Sequence, residues 1–188
     1  MKPVDVSEIK HIADYEIERE SLRPKMIALK DRRRIRVGGH LTFLFENRDT
    51  VRYQIQEMMR IERIVKPTDI AHEVETYNEL IPAAGQLCAT LLIEYETPAE
   101  RDVHLTELLG LDRHIWIEVA GERSPAVFDN RQIGDTRLSS VQYIKFNLTA
   151  AQQAAWSKGA SIVSDHPGYQ ESRALTAAEL AELASDFV

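Results

Sequence analysis

The sequence predicts an α+β fold: a mainly antiparallel sheet covered by helices on one face, with a helical hairpin at about residues 48–81. Three observations lead to this prediction. Apolar residues recur at helical spacing in two neighbouring segments near the middle of the chain. Short β-branched or aromatic runs, separated by glycine or proline turns, occur in clusters elsewhere. Strands in clusters, with helices between the clusters, favour a segregated α+β arrangement.

The length and composition suit one folded domain. The chain has 188 residues, of which 44% are apolar and 28% are charged, and this balance is typical of a globular protein that buries its own core. Neither a low-complexity segment nor a long linker divides the chain. We therefore expect a single domain over residues 1–188.

The N-terminal quarter predicts helices followed by a β-hairpin. Apolar residues at helical spacing predict a helix over residues 7–19. After a break, Pro24 suits the first turn of a second, short helix, because proline lacks the N–H that this position does not need. Two consecutive glycines then separate extended runs at 34–37 and 40–46, which predict the two strands of a hairpin.

The helical hairpin has the clearest pattern. A long amphipathic helix begins at Asn47 or Asp49 and ends near residue 65, before Pro67. A second helix covers about 70–80. Because the link between them is short, we expect the two helices to be neighbours in space.

The C-terminal half predicts further strands with helices between them. Strands are predicted at 87–95, 114–119, 140–148 and 161–164, with a hairpin that runs from 114–119 through 120–121 to 126–127. Helices are predicted at 99–109 and 150–157. Thr176 and Glu179 form a capping-box pattern that opens a final amphipathic helix.

Charge, cysteine content and motifs exclude several classes of function. The 23 basic and 30 acidic residues leave a net charge of −7, which argues against a nucleic-acid partner or an anionic membrane surface. No apolar run approaches the length of a membrane span. The single cysteine, Cys88, cannot form an intramolecular disulfide, and the N-terminus lacks an apolar leader, so we expect a cytoplasmic protein. Phosphate-binding glycine loops and the GxSxG, CxxC and HExxH motifs are all missing from the sequence.

Glu62 is the first candidate site residue, because a helical wheel places it among apolar residues. Val51 and Ile55 lie on the same stripe, with Gln54 at its edge. A carboxylate on a core face needs an arginine, hydrogen-bond donors, a metal or a proton. Two interpretations stay open: a structural ion pair or slight helix rotation, or a functional carboxylate.

A metal site is the second hypothesis. Glu73 borders the apolar stripe of the next helix, and two facing helices that each bring a carboxylate inward are typical of carboxylate-bridged metal sites. The Glu-x-x-His pairs of ferritin-like di-iron sites are missing, which argues against that kind of site. Predicted strands also end in Glu46, Glu94 and Glu118. If two of these strands ran in the same direction with a third strand between them, their two glutamates would converge at one end of the sheet. The candidate ligands of a transition metal such as iron are Glu62, Glu73 and Glu94. For the strand ends, charged edge residues on a solvated sheet face are the alternative.

The start of the first hairpin helix predicts a ligand-contact zone. Free N–H groups at a helix start favour an anion, which Arg48 and Arg52 would clamp. The alternative is that Asn47, Asp49 or Thr50 caps the helix while Arg48 pairs with Glu46 or Asp49. The candidate ligand-binding residues are Glu46, Asn47, Arg48, Arg52, Gln54 and Glu62.

A basic run at residues 30–36 contains five cations and one aspartate. It lacks the interleaved aromatic residues of a nucleic-acid site. We interpret it as a helix end followed by an edge strand, with a surface for an acidic partner protein as the alternative.

Four segments carry a family resemblance. They are FENRDTVRYQIQEMMRIERI (45–64), YNELIP (77–82), ATLLIEY (89–95) and DHPGY (165–169). In this order and spacing they resemble a bacterial family of domain-of-unknown-function proteins of about this length. Members are typically encoded beside a rubrerythrin and an iron–sulfur oxidoreductase, so the resemblance implies these redox proteins as partners and a role in iron or peroxide metabolism.

Together these observations predict a cytoplasmic accessory protein linked to that metabolism, which binds a partner protein, a metal or a small ligand. The alternative is a metal-dependent or acid–base enzyme that uses Glu62 with Glu46, Glu73 or Glu94.

Overall fold

The computed structural model describes residues 1–187, and its strands and helices occur in alternating clusters. The helices are α1 (Ile12–Arg32), α2 (Arg48–Glu62), α3 (Pro67–Asn78), α4 (Pro98–Glu107), α5 (Ala150–Ala155) and α6 (Ala177–Ala184). The strands are β1 (Arg34–Val37), β2 (Leu41–Glu46), β3 (Gln86–Ile93), β4 (Ile115–Val119), β5 (Glu122–Phe128), β6 (Val141–Asn147), β7 (Ala160–His166) and β8 (Tyr169–Ala174). The predicted α+β class and the helical hairpin, α2 with α3, are confirmed. Within residues 1–187 no helix has both the length and the apolar character needed to cross a membrane.

The eight strands form one antiparallel sheet with the order β1-β2-β3-β6-β5-β4-β7-β8. The sheet curls until β8 approaches β1. There the Tyr169 hydroxyl donates a hydrogen bond to the Val37 carbonyl oxygen at 2.8 Å and accepts one from the His40 backbone N–H at 2.9 Å. At Gly38 φ is +63°, and a Cβ would lie 2.5 Å from the Tyr169 hydroxyl oxygen. Glycine at this turn therefore permits both the backbone conformation and the close approach of the two edges.

Two hydrophobic cores follow from this arrangement. The larger core lies on the inner face of the curled sheet, where side chains such as Phe43, Leu91 and Phe146 are fully buried. The smaller core joins α2 and α3 to the N-terminal segment, with Ile55 and Val74 among its members. Burial of each such side chain stabilises the fold by about 1.5–3 kcal/mol.

The helical hairpin covers the outer face of the sheet at β2. Side chains along a strand alternate between the two faces, yet all six residues of β2 are buried. Phe43 and Phe45 face the inner core, so Leu44 and Glu46 are buried by what packs on the other side. The hairpin therefore encloses a polar group, Glu46, between helices and sheet.

Local signals explain where the hairpin helices begin and end. The Asn47 side chain accepts hydrogen bonds from the backbone N–H groups of Asp49 and Thr50 at the start of α2. Helix α2 ends at Glu62, and the next residue, Arg63, adopts the left-handed conformation with φ of +53°. Pro67, predicted to end one helix, is also the first residue of the next, where its missing N–H costs nothing.

One helix boundary predicted from the sequence is wrong, and one strand was missed. Helix α1 is continuous through Pro24, whereas a break was expected. Proline removes the hydrogen bond to the carbonyl of Glu20, but both residues are exposed, so water can satisfy that carbonyl while Tyr15 and Met26 anchor the helix. Strand β8 was not predicted, because its mostly exposed residues lack an apolar pattern.

Candidate functional site

A cavity with a volume of about 440 Å³ lies beside α3. We call it the outer cleft. One wall is formed by α3 and the residues after it, and the other by the ends of β5 and β6. Its lining residues are Thr76, Tyr77, Glu79, Leu80, Val127, Phe128, Asp129, Arg131, Gln132, Tyr143, Ile144 and Lys145. Its volume lies within the range of about 300–1,000 Å³ that is usual for small-molecule sites.

A second cavity of about 210 Å³ adjoins the outer cleft beneath α2. We call it the inner pocket. It is lined by Lys30, Leu44, Glu46, Val51, Gln54, Thr90, Leu92 and Val141, together with three residues of the outer cleft, Tyr77, Leu80 and Tyr143. Because these three residues line both cavities, they form the boundary between them.

Lys145 supplies a cation to the outer cleft. It lies on β6, directly across from Cys88 on β3, and its side chain is half-buried. Within the described chain the side chain of Lys145 makes no hydrogen bond or ion pair. Its charge acts at a distance on Asp129, whose pKa is lowered chiefly by a hydrogen bond from Arg131. The ammonium group of Lys145 is therefore available to an anion.

Two tyrosines mark the boundary between the cavities. Burial raises the pKa of the Tyr143 phenol, and the charges of Glu46 and Asp129 raise that pKa further. Burial also raises the pKa of Tyr77. The charge of Tyr143 raises that pKa further, and a hydrogen bond from Gln54 lowers it by less than burial raises it. Both phenols therefore remain neutral hydrogen-bonding groups at physiological pH.

An ion-pair bridge crosses the outer cleft. The Arg131 guanidinium donates hydrogen bonds to Asp129 at 2.9 Å and to Glu79 at 2.7 Å. Glu79 follows α3, whereas Asp129 and Arg131 follow β5. All three charges of the bridge are thus used within the protein, in contrast to Lys145.

Glu46 supplies a buried carboxylate to the inner pocket, with 7% of its surface exposed. One oxygen accepts a hydrogen bond from the Thr50 hydroxyl at 2.5 Å, and the other accepts one from the Thr90 hydroxyl at 2.7 Å. Among residues 1–187 it has no Lys, Arg or His partner in an ion pair.

The predicted ligand-contact residues separate into two groups. Glu46 and Gln54 line the inner pocket. Asn47 caps α2, which is the alternative considered for it. Arg48 pairs with Glu8 at 2.5 Å rather than with Glu46, and Arg52 lies 3.4 Å from Asp49. Neither arginine lines the outer cleft or the inner pocket.

The expected inward position of Glu62 is wrong. Helix α2 ends at Glu62, and the chain then turns through Arg63, so this carboxylate is exposed. Ile61 and Val65 are exposed with it, at 63% and 58% of their surfaces. The apolar stripe of α2 instead runs through Val51 and Ile55 to Met59, one turn short of the predicted end.

The carboxylates expected to bind a metal do not assemble. Glu73 is half-buried, and Glu94 is exposed and accepts a hydrogen bond from Thr42. In the part of the chain that the structure describes, no group of three or more His, Cys, Asp or Glu residues is placed to hold a metal ion. Glu46 and Glu94 lie at opposite ends of the pair β2 and β3 because the two strands are antiparallel. Glu118 lies on β4, which is separated from β2 by three strands, β3, β6 and β5.

Sequence reasoning missed Tyr143 and Lys145, although both were inside a predicted strand. Their spacing of two residues places them on one face of β6, which is the available signal. What that face meets depends on strand order, which the sequence pattern does not reveal. The basic run was also misjudged in part: Arg33 is fully buried and donates to Phe45, Asp186 and Glu182.

Comparisons with known proteins place the chain among proteins of similar fold. A family model described as "Protein of unknown function (DUF3501)" matches residues 3–187. A crystal structure of a protein of unknown function from Burkholderia pseudomallei K96243 is 32% identical in sequence, with a TM-score of 0.93 and coverage of 100% of both chains. None of the curated proteins compared with the chain matches it.

Proposed function

The chain belongs to the DUF3501 family of proteins of unknown function, as its four segments indicated, and we propose from its own geometry that it binds a small organic anion. The ligand lies in the outer cleft, with its anionic group on Lys145. Its apolar or aromatic body packs between α3 and the strands β5 and β6. The function is binding and not turnover.

The observation that carries this proposal is the state of Lys145. An ammonium group that is partly withdrawn from water gains most from a charged hydrogen-bond acceptor. The other charged residues of the outer cleft, Glu79, Asp129 and Arg131, already form hydrogen-bonded ion pairs with one another. A carboxylate, sulfonate or phosphate on the ligand would give Lys145 the partner that the described residues do not provide.

The walls of the outer cleft support an apolar or aromatic body for the ligand. Leu80, Val127 and Phe128 contribute apolar surface, and 51% of the Val127 surface is exposed. The phenols of Tyr77 and Tyr143 add flat faces with a polar edge. Such a mixture of apolar walls and a few polar groups is usual in small-molecule sites.

The arrangement of carboxylates favours binding over acid–base chemistry. Of the glutamates considered for an enzyme, only Glu46 lines one of the two cavities, and two threonine hydroxyls hold its oxygens. A role beside rubrerythrin and an iron–sulfur oxidoreductase, in the cytoplasm, remains part of our proposal. The support for that part is the family resemblance alone.

A fluorescence titration with 8-anilinonaphthalene-1-sulfonate tests the proposed function, because this probe joins one sulfonate to an aromatic body. We expect saturable binding at one site, about tenfold weaker in Lys145→Met because a charged hydrogen bond is lost. Lys158→Met is the matched control, since Lys158 is exposed and outside both cavities, and its affinity should equal that of the parent protein.

A second variant tests the location of the probe. Leu80→Trp fills the boundary between the two cavities and should weaken binding without changing the circular dichroism spectrum. Equal affinities of the parent protein and Lys145→Met would contradict the proposed function.

A further inference from the structure

The Glu46 carboxylate lines the inner pocket, and no cation of the described residues pairs with it. Its two hydrogen bonds come from neutral hydroxyl groups, Thr50 and Thr90, and it forms no ion pair with any residue of the range 1–187. Withdrawing a carboxylate from water costs several kcal/mol by general estimates, and a paired positive charge is the usual compensation.

The arginine that reaches the Glu46 backbone is engaged with other acids. Arg33 contacts the Glu46 backbone carbonyl at 3.3 Å, and its guanidinium is paired with Asp186 and Glu182. Arg32 also pairs with Glu182, so two arginines face two acids in this cluster. The two positive and two negative charges of this cluster balance, so its arginines do not neutralise the Glu46 carboxylate.

Lys30, which lines the inner pocket, contacts residues other than Glu46. The Lys30 ammonium donates to the Gln54 side-chain oxygen at 3.4 Å and lies 5.4 Å from the centre of the Tyr53 ring. The N-terminal N–H groups of α2 do not contribute either, because Asn47 accepts the hydrogen bonds of Asp49 and Thr50.

We propose that the inner pocket binds a primary ammonium group of a ligand through the Glu46 carboxylate. The ammonium would receive one charged acceptor from Glu46. The neutral oxygens of Thr90 and Tyr143 line the same pocket and offer further acceptors. Such a group enters through the boundary at Tyr77 and Tyr143, because these residues line both cavities.

This inference deepens the proposed function and rests on it for the anionic end of the ligand. Glu46, Cys88 and Lys145 stand opposite one another on β2, β3 and β6 and share one face of the sheet. Two strand spacings of about 4.8 Å separate the backbones of Glu46 and Lys145. The ligand class is therefore a small amphipathic zwitterion, with its primary amine and its anionic group separated by an apolar or aromatic body.

The experiment compares two fluorescent probes that differ only in the ammonium group: dansylcadaverine and N-pentyl dansylamide. We expect dansylcadaverine to bind the parent protein about tenfold more tightly, the usual effect of one charge-assisted hydrogen bond. In Glu46→Gln, whose amide oxygen can still accept a threonine hydrogen bond, the two probes should bind equally. Glu94→Gln is the matched control and should keep the preference, because Glu94 is exposed and lies outside both cavities.

A second pair of variants keeps the test independent of Glu46 itself. Leu44 lines the inner pocket two residues before Glu46 on the same face of β2. Leu44→Lys brings an internal ammonium into the pocket and should abolish the preference, whereas Leu44→Met should keep it. Binding of N-pentyl dansylamide and the thermal unfolding curve report whether each variant is folded.

The outcomes separate the inference from the proposed function. Equal binding of both probes by the parent protein, or a preference that survives in Glu46→Gln, overturns the ammonium site. The anilinonaphthalene sulfonate result at Lys145 is measured independently, so that site can stand while the ammonium site fails. A dansylcadaverine preference lost in Glu46→Gln supports the ammonium site even if the anionic probe does not bind.

Discussion

The Tyr169 hydroxyl donates a hydrogen bond to the Val37 carbonyl oxygen at 2.8 Å, across the line where β8 meets β1. Tyr169 ends the DHPGY segment, and other residues of that segment also serve the fold. Asp165 accepts hydrogen bonds from Trp116 at 3.1 Å and Arg123 at 3.0 Å. The segment thus explains part of the family resemblance through structure and not through chemistry.

We predict that Tyr169→Phe destabilises the protein by about 1–3 kcal/mol, because the Val37 carbonyl and the His40 N–H lose their partner at a buried site. Urea unfolding followed by circular dichroism measures this change. Tyr95→Phe is the control, since the Tyr95 hydroxyl makes no hydrogen bond within residues 1–187. A loss as large in Tyr95→Phe would contradict the assignment.

Arg33 provides a second prediction, because its planar group meets several acceptors at once. It donates to the Phe45 carbonyl at 2.8 Å and to Glu182 at 3.2 Å, and its side chain is fully buried. Lysine cannot reproduce this fork, so Arg33→Lys should lower the free energy of unfolding by about 3 kcal/mol.

The adjacent Arg34 is a matched control for Arg33. It is exposed and has no ion pair in the described chain, so Arg34→Lys should change the free energy of unfolding by less than about 0.5 kcal/mol. Equal stabilities of the two variants would show that the buried fork is not important.

Glu57 predicts a dependence of stability on pH. Burial alone would raise the pKa of its carboxyl, but hydrogen bonds from Arg19 and Tyr15 outweigh burial and lower that pKa. The pKa of a glutamate carboxyl in the unfolded chain is about 4.3. The stabilisation is therefore complete above that value and is lost as the pH falls through the lower, folded pKa.

Glu57→Gln should lower the free energy of unfolding at pH 7 by about 2 kcal/mol and reduce its decrease below about pH 4. Unfolding curves measured between neutral and acidic pH test both effects. Glu20→Gln, on the exposed side of α1, should leave the pH profile unchanged. A profile for Glu57→Gln as steep as that of the parent protein would exclude a role for Glu57.

Cys88 should be nearly inert in the folded protein. Burial raises the pKa of its thiol to about 12, and 1% of its surface is exposed. Because the thiolate is the reactive form, labelling by DTNB at pH 8 should require unfolding. We expect labelling without denaturant to be at least roughly 100-fold slower than in 6 M guanidinium chloride, because a buried thiol reacts only when the protein opens. Comparably fast labelling of the native protein would contradict this burial.

The sequence predicted the elements closest to the candidate site with good accuracy. The hairpin helices were expected near 48–65 and 70–80, and the structure has α2 at Arg48–Glu62 and α3 at Pro67–Asn78. Caps and prolines act within one helical turn, so a local pattern carries this information. Glu46, one of the predicted site residues, lines the inner pocket, and its contact with a ligand stays a prediction.

Predictions that depended on the orientation of a whole element were less accurate. The wheel of α2 assumed that the helix continued to residue 65, and the early end at Glu62 leaves that last turn exposed. The left-handed residue Arg63 carries no glycine signal that would have revealed the end. The convergence of strand-end glutamates failed for a similar reason, since it required strand directions.

The sequence by itself determined the α+β class, the helical hairpin and the alternating strands, because periodicity and capping are set by residues close together in the chain. Tertiary structure alone decided that β6 pairs with β3, which places Lys145 on the same sheet face as Glu46. Pairing between distant strands is chosen by the packing free energy of the whole sheet, and no local pattern encodes it. For this reason the charges of the proposed site were present in the sequence, but the two adjoining cavities that they line were visible only in the fold.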